Sequence, residues 1–186
     1  MANRVYLYSV NRSYMKIRDL SESPSEISLF YKILLGMKTQ IDDSRLWYSE
    51  GFKAITGDCR AGLKRYDKFL EYLKTLSWTD NDLLNQFKLD TDNFFEEHPK
   101  SKSVSFLLEC GEIFILDDYE SPNEQNAKLA EEIRGISKDI EQLLKTKEDF
   151  KKWTKKKSWL WELEKNLNSL KPTWQRICYY SMNRGK

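Results

Sequence analysis

Paired carboxylates recur along this sequence, and they are the residues most suited to catalysis. Two neighbouring acidic side chains can divide the roles of general acid and general base, or bind a divalent cation through oxygen ligands. The groups are Asp80 with Asp82, Asp90 with Asp92, Glu109 with Glu112, and Asp117 and Asp118 with Glu120. The first two pairs fall where helices are expected to begin, and negative charge at a helix start is stabilising. A structural role is therefore favoured, and no catalytic residue is predicted.

Other catalytic patterns are absent from the sequence. It has no G-x-S-x-G motif, no glycine-rich phosphate loop and one histidine, His98. Cys59, Cys110 and Cys178 are widely spaced and lack a neighbouring histidine, so we expect reduced, packed thiols rather than zinc ligands. The sequence predicts no metal site and no cofactor. An enzyme, as a hydrolase or transferase that uses paired carboxylates, is the third hypothesis for function.

A lysine-rich stretch at 145–161 contains several tryptophans, a combination that suits nucleic acid. Lysines neutralise phosphates, and exposed indoles stack on bases. The candidate binding residues are Lys151, Lys152, Lys155, Lys156, Lys157 and Trp161. The alternative is a solvated helix face, because Trp153 shares a helical stripe with Phe150 and Leu160 and is expected in the core. Binding of RNA or single-stranded DNA is the second hypothesis for function.

An acidic stretch with a tyrosine follows an apolar run. Asp117, Asp118, Tyr119 and Glu120 are expected on an exposed loop, where binding residues are often found. Complementary charge speeds the encounter with a basic partner, and an aromatic anchor adds binding energy. The first hypothesis is therefore a non-enzymatic protein-binding module. Its partner would be another protein, such as a toxin that it inhibits as an immunity protein or antitoxin.

The composition indicates a folded protein with a polar surface. A chain of 186 residues fits one core, and a hydrophobic share of 40% is too high for a disordered chain. A net charge of +2 gives no overall attraction to nucleic acid or anionic lipid. The first ten residues resemble neither a signal peptide nor a membrane span. We expect a cytoplasmic protein with no membrane partner; nothing in the pattern predicts its oligomeric state.

Three apolar stretches predict strands. Residues 5–10 are apolar at nearly every position, as in an interior strand. Residues 104–116, VSFLLECGEIFIL, indicate a hairpin that turns at Cys110 and Gly111, and 177–182 favour a strand near the end of the chain. The two terminal strands are each too hydrophobic to stand alone. We expect them to lie side by side in one sheet.

Helical spacing dominates the rest of the sequence. Apolar residues recur three or four apart at 25–36, 60–76 and from Thr79 onwards. A stripe of Leu129, Ile133, Ile136, Ile140 and Leu143 is followed by a break and a restart near Thr146. The predicted fold is a single α+β domain, 1–186. It has a central mixed or antiparallel sheet that contains both terminal strands and the 104–116 hairpin, is covered by helices, and ends in a helical hairpin over 123–171.

The opening of the chain resembles a known family. MANRVYLYS matches a family of uncharacterised bacterial proteins that begin Met-Ala-Asn-Arg-x-Tyr-Leu-Tyr-Ser, and LLECGEIF and YYS are similar to later blocks of that family. The resemblance implies a bacterial cytoplasmic setting. It brings no catalytic residues.

Overall fold

A five-stranded antiparallel sheet organises the molecule. The computed structural model describes residues 3–13, 15–116, 119–146 and 150–180. Within the sheet the strands lie in the order β2-β1-β5-β4-β3. The strands are β1 Arg4–Val10, β2 Ile17–Pro24, β3 Gln40–Asp43, β4 Lys53–Asp58 and β5 Ser105–Glu109.

Helices pack on one face of this sheet. Four of them begin at a side-chain cap, where Ser28, Asp58, Asp80 or Ser121 accepts a hydrogen bond from a backbone N–H of the first turn. The helices are α1 Leu29–Leu35, α2 Cys59–Leu73, α3 Asn81–Glu97, α4 Gly111–Phe114, α5 Pro122–Thr146, α6 Phe150–Thr154 and α7 Ser158–Lys165, with short 3-10 turns at Tyr48–Glu50, Pro99–Ser101 and Leu167–Leu170. The α+β class is confirmed.

Alternation along the strands divides the buried side chains between two faces. Val5 and Leu7 of β1 join Ile55, Phe106 and Leu108 in the core beneath the helices. The intervening side chains form a second buried cluster, which includes Tyr6, Tyr8, Ala54, Leu107 and Cys178. The second face is thus covered by chain segments outside the helices.

The last described segment lies across this second face. The Tyr8 hydroxyl donates to the carbonyl of Tyr180 at 2.6 Å, and the Tyr6 and Tyr180 rings are 5.5 Å apart. The N-terminal strand and the last described residues are therefore neighbours, as predicted. The segment joins the edge of β2 through a single antiparallel bridge, Ser21 to Trp174.

The predicted strand at 177–182 is not formed over its described part, 177–180. The backbone N–H groups of Cys178 and Tyr179 donate instead to the carboxylates of Asp19, at 3.2 Å, and Glu22, at 2.7 Å. Side chains of β2 thus take the donors that a strand would give to a neighbouring backbone.

The predicted hairpin over 104–116 is half correct. Its first strand is β5, but residues after Cys110 form the short helix α4 instead of a returning strand. The backbone N–H of Phe114 donates to the carbonyl of Cys110 at 3.1 Å, which closes a helical turn. Only Phe114 of the last three apolar residues in this run is buried, so the run does not supply a strand for the sheet.

The predicted helical hairpin over 123–171 has one long arm and one broken arm. All five stripe residues of α5 are buried, and α5 ends at Thr146, where a break was expected. The second arm consists of α6, α7 and a 3-10 turn rather than a single helix. Its buried residues, among them Trp153 and Leu160, belong to the same core cluster as the strands.

Candidate functional site

The segment 115–120 connects α4 to α5 and is held at both ends. The side-chain amide of Gln125 donates to the carbonyl of Phe114 at 2.9 Å and to the carbonyl of Glu120 at 3.0 Å. Ser121 and Glu124 form a reciprocal cap at the start of α5, with the backbone N–H of Ser121 donating to the Glu124 carboxylate at 2.9 Å. The segment is thus attached to a rigid scaffold on each side.

Large apolar side chains are exposed within this segment. Tyr119 is 97% exposed, and Ile115 and Leu116 are 59% and 61% exposed. Glu120 is half-buried and forms an ion pair with Lys128. Asp117 and Asp118, the other two predicted partner-binding residues, lie outside the described residues. The structure therefore presents Tyr119 to solvent, as expected, and engages Glu120 within the fold.

The sequence pattern does not predict Ile115 and Leu116 as surface residues, because the apolar run IFIL favours a strand. The helical turn of α4 directs the last two residues of this run towards solvent. An apolar run that continues past a glycine with no polar alternation was the only available signal. Exposed apolar side chains can be buried against a partner protein, while the carboxylates of neighbouring acidic residues pair with cations of that partner.

A cleft lies beside the 115–120 segment. It has a volume of about 960 Å³, and Ile113, Phe114 and Glu120 lie on its wall together with Trp159 and Leu163 of α7. Residues of α1 and α5, together with the segments 23–28 and 166–173, complete the lining. The exposed segment therefore borders a concave surface, which can accept a side chain or a short peptide from a partner.

The lysine and tryptophan residues of the nucleic-acid hypothesis are partly engaged. Lys151, Lys152, Lys155 and Lys156 are exposed, whereas Lys157 pairs with the largely buried carboxylate of Asp139 at 2.9 Å. Trp153 is buried, as predicted. Trp161 is half-exposed, and the Lys165 ammonium lies 3.3 Å above its ring. A base that stacks on this face of Trp161 must first displace Lys165.

Among the described residues of the carboxylate pairs, Glu109 is the fully buried one. Its oxygens accept hydrogen bonds from the hydroxyl of Ser44 at 2.7 Å and the backbone N–H of Arg45 at 2.6 Å. Burial raises the pKa of this carboxyl group, although these hydrogen bonds oppose the shift. Both oxygens are occupied in fixing the segment that precedes the Tyr48–Glu50 turn. The arrangement is that of an internal anchor.

The three cysteines are free and buried, as the sequence predicts. Burial raises the pKa of Cys59 and Cys178 to about 12. Their thiols therefore stay protonated at neutral pH, and a protonated thiol is a poor nucleophile.

The described residues lack two further features, a membrane-spanning helix and a metal-binding cluster. None of their helices combines the length and apolar character needed to cross a membrane. They also contain no cluster of three or more histidine, cysteine or carboxylate side chains arranged to hold a metal ion.

Comparison with protein families gives one match. The model of a family described as a domain of unknown function, DUF7822, matches residues 7–148. The matched range includes the 115–120 segment and ends before α6. No curated protein and no solved structure matches the chain.

Proposed function

The chain belongs to the family described as a domain of unknown function, DUF7822, and we propose that it is a non-enzymatic protein-binding module that docks through the 115–120 segment. The exposure of Tyr119, Leu116 and Ile115 within six residues carries this proposal. Solvated apolar side chains lower the solubility of a protein and gain free energy when a partner covers them. A segment that presents three of them together is suited to docking.

The fixed ends of the segment support the same proposal. Gln125 holds the carbonyls of Phe114 and Glu120, so both ends of the segment are fixed before a partner arrives. A constrained loop loses less conformational entropy on binding, which improves affinity for the same contacts. The segment also lies inside the range matched by the family model, whereas Lys151 and Trp161 lie beyond it.

The chemistry of the segment selects a basic partner. Its sequence carries three acidic residues, Asp117, Asp118 and Glu120, and Lys128 neutralises only the last of these among the described contacts. A partner surface with an apolar pocket for Tyr119, rimmed by lysine or arginine, is complementary to it. An inhibitor of the immunity or antitoxin type fits this description, since an acidic loop with an aromatic tip can enter a cationic cleft.

The bacterial and cytoplasmic setting belongs to the same proposal. It rests on the N-terminal resemblance and on three free, buried cysteines, which suit a reducing compartment. Nucleic-acid binding by the lysine-rich stretch stays a prediction. The 115–120 segment is preferred because its aromatic ring is almost fully exposed, while the ring of Trp161 is covered on one face by Lys165.

The test compares a segment variant with a matched control. Proteins that the wild type retains from native lysate are purified, and calorimetry measures the Kd of each for the wild type, for Leu116→Ala/Tyr119→Ala and for a control variant. The control, Leu89→Ala/Trp161→Ala, removes similar apolar side chains that are about half exposed elsewhere. We expect a basic partner whose Kd rises at least about tenfold for the segment variant and is unchanged for the control. A purified partner that binds both variants as tightly as wild type contradicts the proposal.

A further inference from the structure

A groove between α2 and α5 forms a second, larger cavity of about 1180 Å³. Its α2 wall is built from residues between positions 61 and 72, which recur every three or four residues along one face of that helix. At a rise of about 1.5 Å per residue this wall is about 17 Å long. Glu141 and Leu144 of α5 form the opposite wall, and Trp78 and Phe150 lie at one end.

Positive charge exceeds negative charge along this groove. The cations on its lining are Lys64, Arg65, Lys68, Lys145 and Lys151, and the acids are Asp67, Glu71 and Glu141. Each acid already has a lysine partner: Lys88 pairs with Asp67, Lys74 with Glu71 and Lys145 with Glu141, at 2.6 to 2.7 Å. Two of these lysines, Lys74 and Lys88, come from outside the lining, so these acids do not neutralise Lys64 or Lys68.

Two of those cations are available to a ligand. Lys64 and Lys68 are exposed, lie one helical turn apart on α2, and take part in no ion pair with any described residue. An anion with more than one charged group can contact both ammonium groups.

Aromatic side chains line the end of the groove that is farther from Lys64. Tyr72 projects from α2, and the rings of Trp78 and Phe150 lie 5.2 Å apart. The indole N–H of Trp78 is buried and has no hydrogen-bond partner among the described residues. An unpartnered buried donor costs free energy, which a carbonyl or ring nitrogen of a ligand would recover.

We propose that this groove binds a nucleoside phosphate, with its phosphates on Lys64 and Lys68 and its base beside Tyr72 and Trp78. Lys68 and Tyr72 are one turn apart, about 6 Å along the helix axis, a spacing that a ribose spans. The cavity is slightly larger than the about 300–1,000 Å³ typical of small-molecule sites, so a nucleotide fits within it. This site is distinct from the docking segment, because none of the groove's lining residues belongs to 115–120 or holds its ends.

The experiment measures the Kd of ATP, AMP and inorganic phosphate for the intact protein by calorimetry. We expect ATP to bind more tightly than AMP, and AMP more tightly than phosphate. Lys64→Glu/Lys68→Glu raises the Kd of ATP at least about tenfold. Trp78→Phe, which keeps an aromatic ring but removes the N–H donor, raises it about two- to tenfold. The control Lys155→Glu/Lys156→Glu reverses two exposed lysines outside the groove and leaves the Kd unchanged.

Circular dichroism and thermal melts verify that each variant is folded. Absence of nucleotide binding by folded wild type overturns the proposal. Inorganic phosphate that binds as tightly as ATP also overturns it, because the base then contributes nothing. A single-stranded RNA that binds where ATP and AMP do not, or a control variant that weakens ATP binding equally, has the same consequence.

Discussion

The side-chain amide of Gln125 donates a hydrogen bond to the main-chain carbonyl of Glu120 at 3.0 Å, and its second donor reaches Phe114. One side chain of α5 therefore closes both ends of the 115–120 segment. Gln125→Ala removes both hydrogen bonds and is expected to lower the free energy of unfolding by about 1 kcal/mol. It should also speed amide hydrogen exchange within 115–120.

Chemical denaturation and hydrogen-exchange mass spectrometry measure these two effects. Gln142→Ala, an exposed substitution on the same helix, is the control and should change neither quantity. Equal exchange rates in 115–120 for wild type and Gln125→Ala would mean that Gln125 does not constrain the segment.

Glu109 should make stability depend on pH. Burial raises its pKa above the ordinary value of 4.5. Below that value the carboxyl group is protonated in both the folded and the unfolded chain. Between the unfolded pKa and the higher folded pKa, the carboxyl group is ionised in the unfolded chain but protonated in the folded chain. The free energy of unfolding therefore falls as the pH rises through this range. Glu109→Gln cannot ionise and should lack this loss.

Urea denaturation from pH 4 to pH 8 tests the dependence on Glu109. The difference between wild type and Glu109→Gln should change in favour of the variant as the pH rises. The control is Glu112→Gln. Glu112 is half-buried and accepts hydrogen bonds from Arg4 and Tyr6, and its replacement should leave the pH dependence that Glu109 causes unchanged. Parallel pH profiles for wild type and Glu109→Gln would contradict the assignment.

Two glycines in helices should respond oppositely to alanine. A Cβ at Gly62 in α2 would lie 2.1 Å from the carbonyl oxygen of Leu34, so α1 and α2 must separate, at a cost of about 3 kcal/mol or more. A Cβ at Gly135 in α5 meets nothing within 4 Å, and alanine there should stabilise by about 0.5–1 kcal/mol. Thermal melts of both variants measure the difference. Similar melting temperatures would show that α1 and α2 are not in close contact.

Trp174 attaches the C-terminal segment to the core. Its ring stacks on Phe94 at 5.4 Å, and the edges of Phe30 and Phe95 approach it at 4.9 and 5.0 Å. Trp174→Ala should cost about 3 kcal/mol, and deletion of 174–186 should abolish cooperative unfolding. Ile177→Ala, which is 62% exposed, should cost less than about 0.5 kcal/mol. An unchanged denaturation midpoint for the deletion would show that the segment is not part of the folded core.

Long periodic helices and the most apolar strands could be predicted from the sequence. The stripe from Leu129 to Leu143 repeats with a helical period, whereas the run 5–10 is short, rich in β-branched and aromatic residues and buried on both faces, as in an interior strand. α3 begins at the cap Asp80, and Asp90 and Asp92 lie within this one continuous helix rather than at a second start. Lys88 pairs with Asp92 one turn later and also with Asp67 of α2, and the second of these contacts is not visible in local sequence patterns.

Elements that depend on distant partners could not be predicted. The polar residues of β2, among them Asp19 and Glu22, are typical of a loop. They are stabilised within a strand by backbone donors more than 150 residues away, which no local pattern reveals. The stretch 41–58, which contains most of β3 and all of β4, has a sequence pattern that fits either a loop or a short strand. The IFIL run of α4 has no helical or strand period that separates the two structures, so its exposed residues at the candidate site were not found.

Hydrogen exchange of the complex tests the central claim most directly. Amide exchange is compared for the free protein and for the protein saturated with its purified partner. Docking through 115–120 predicts that protection is strongest in peptides that contain Leu116 and Tyr119, and that peptides covering 150–165 exchange as in the free protein. Protection of 150–165 with unchanged exchange in 115–120 would contradict the account.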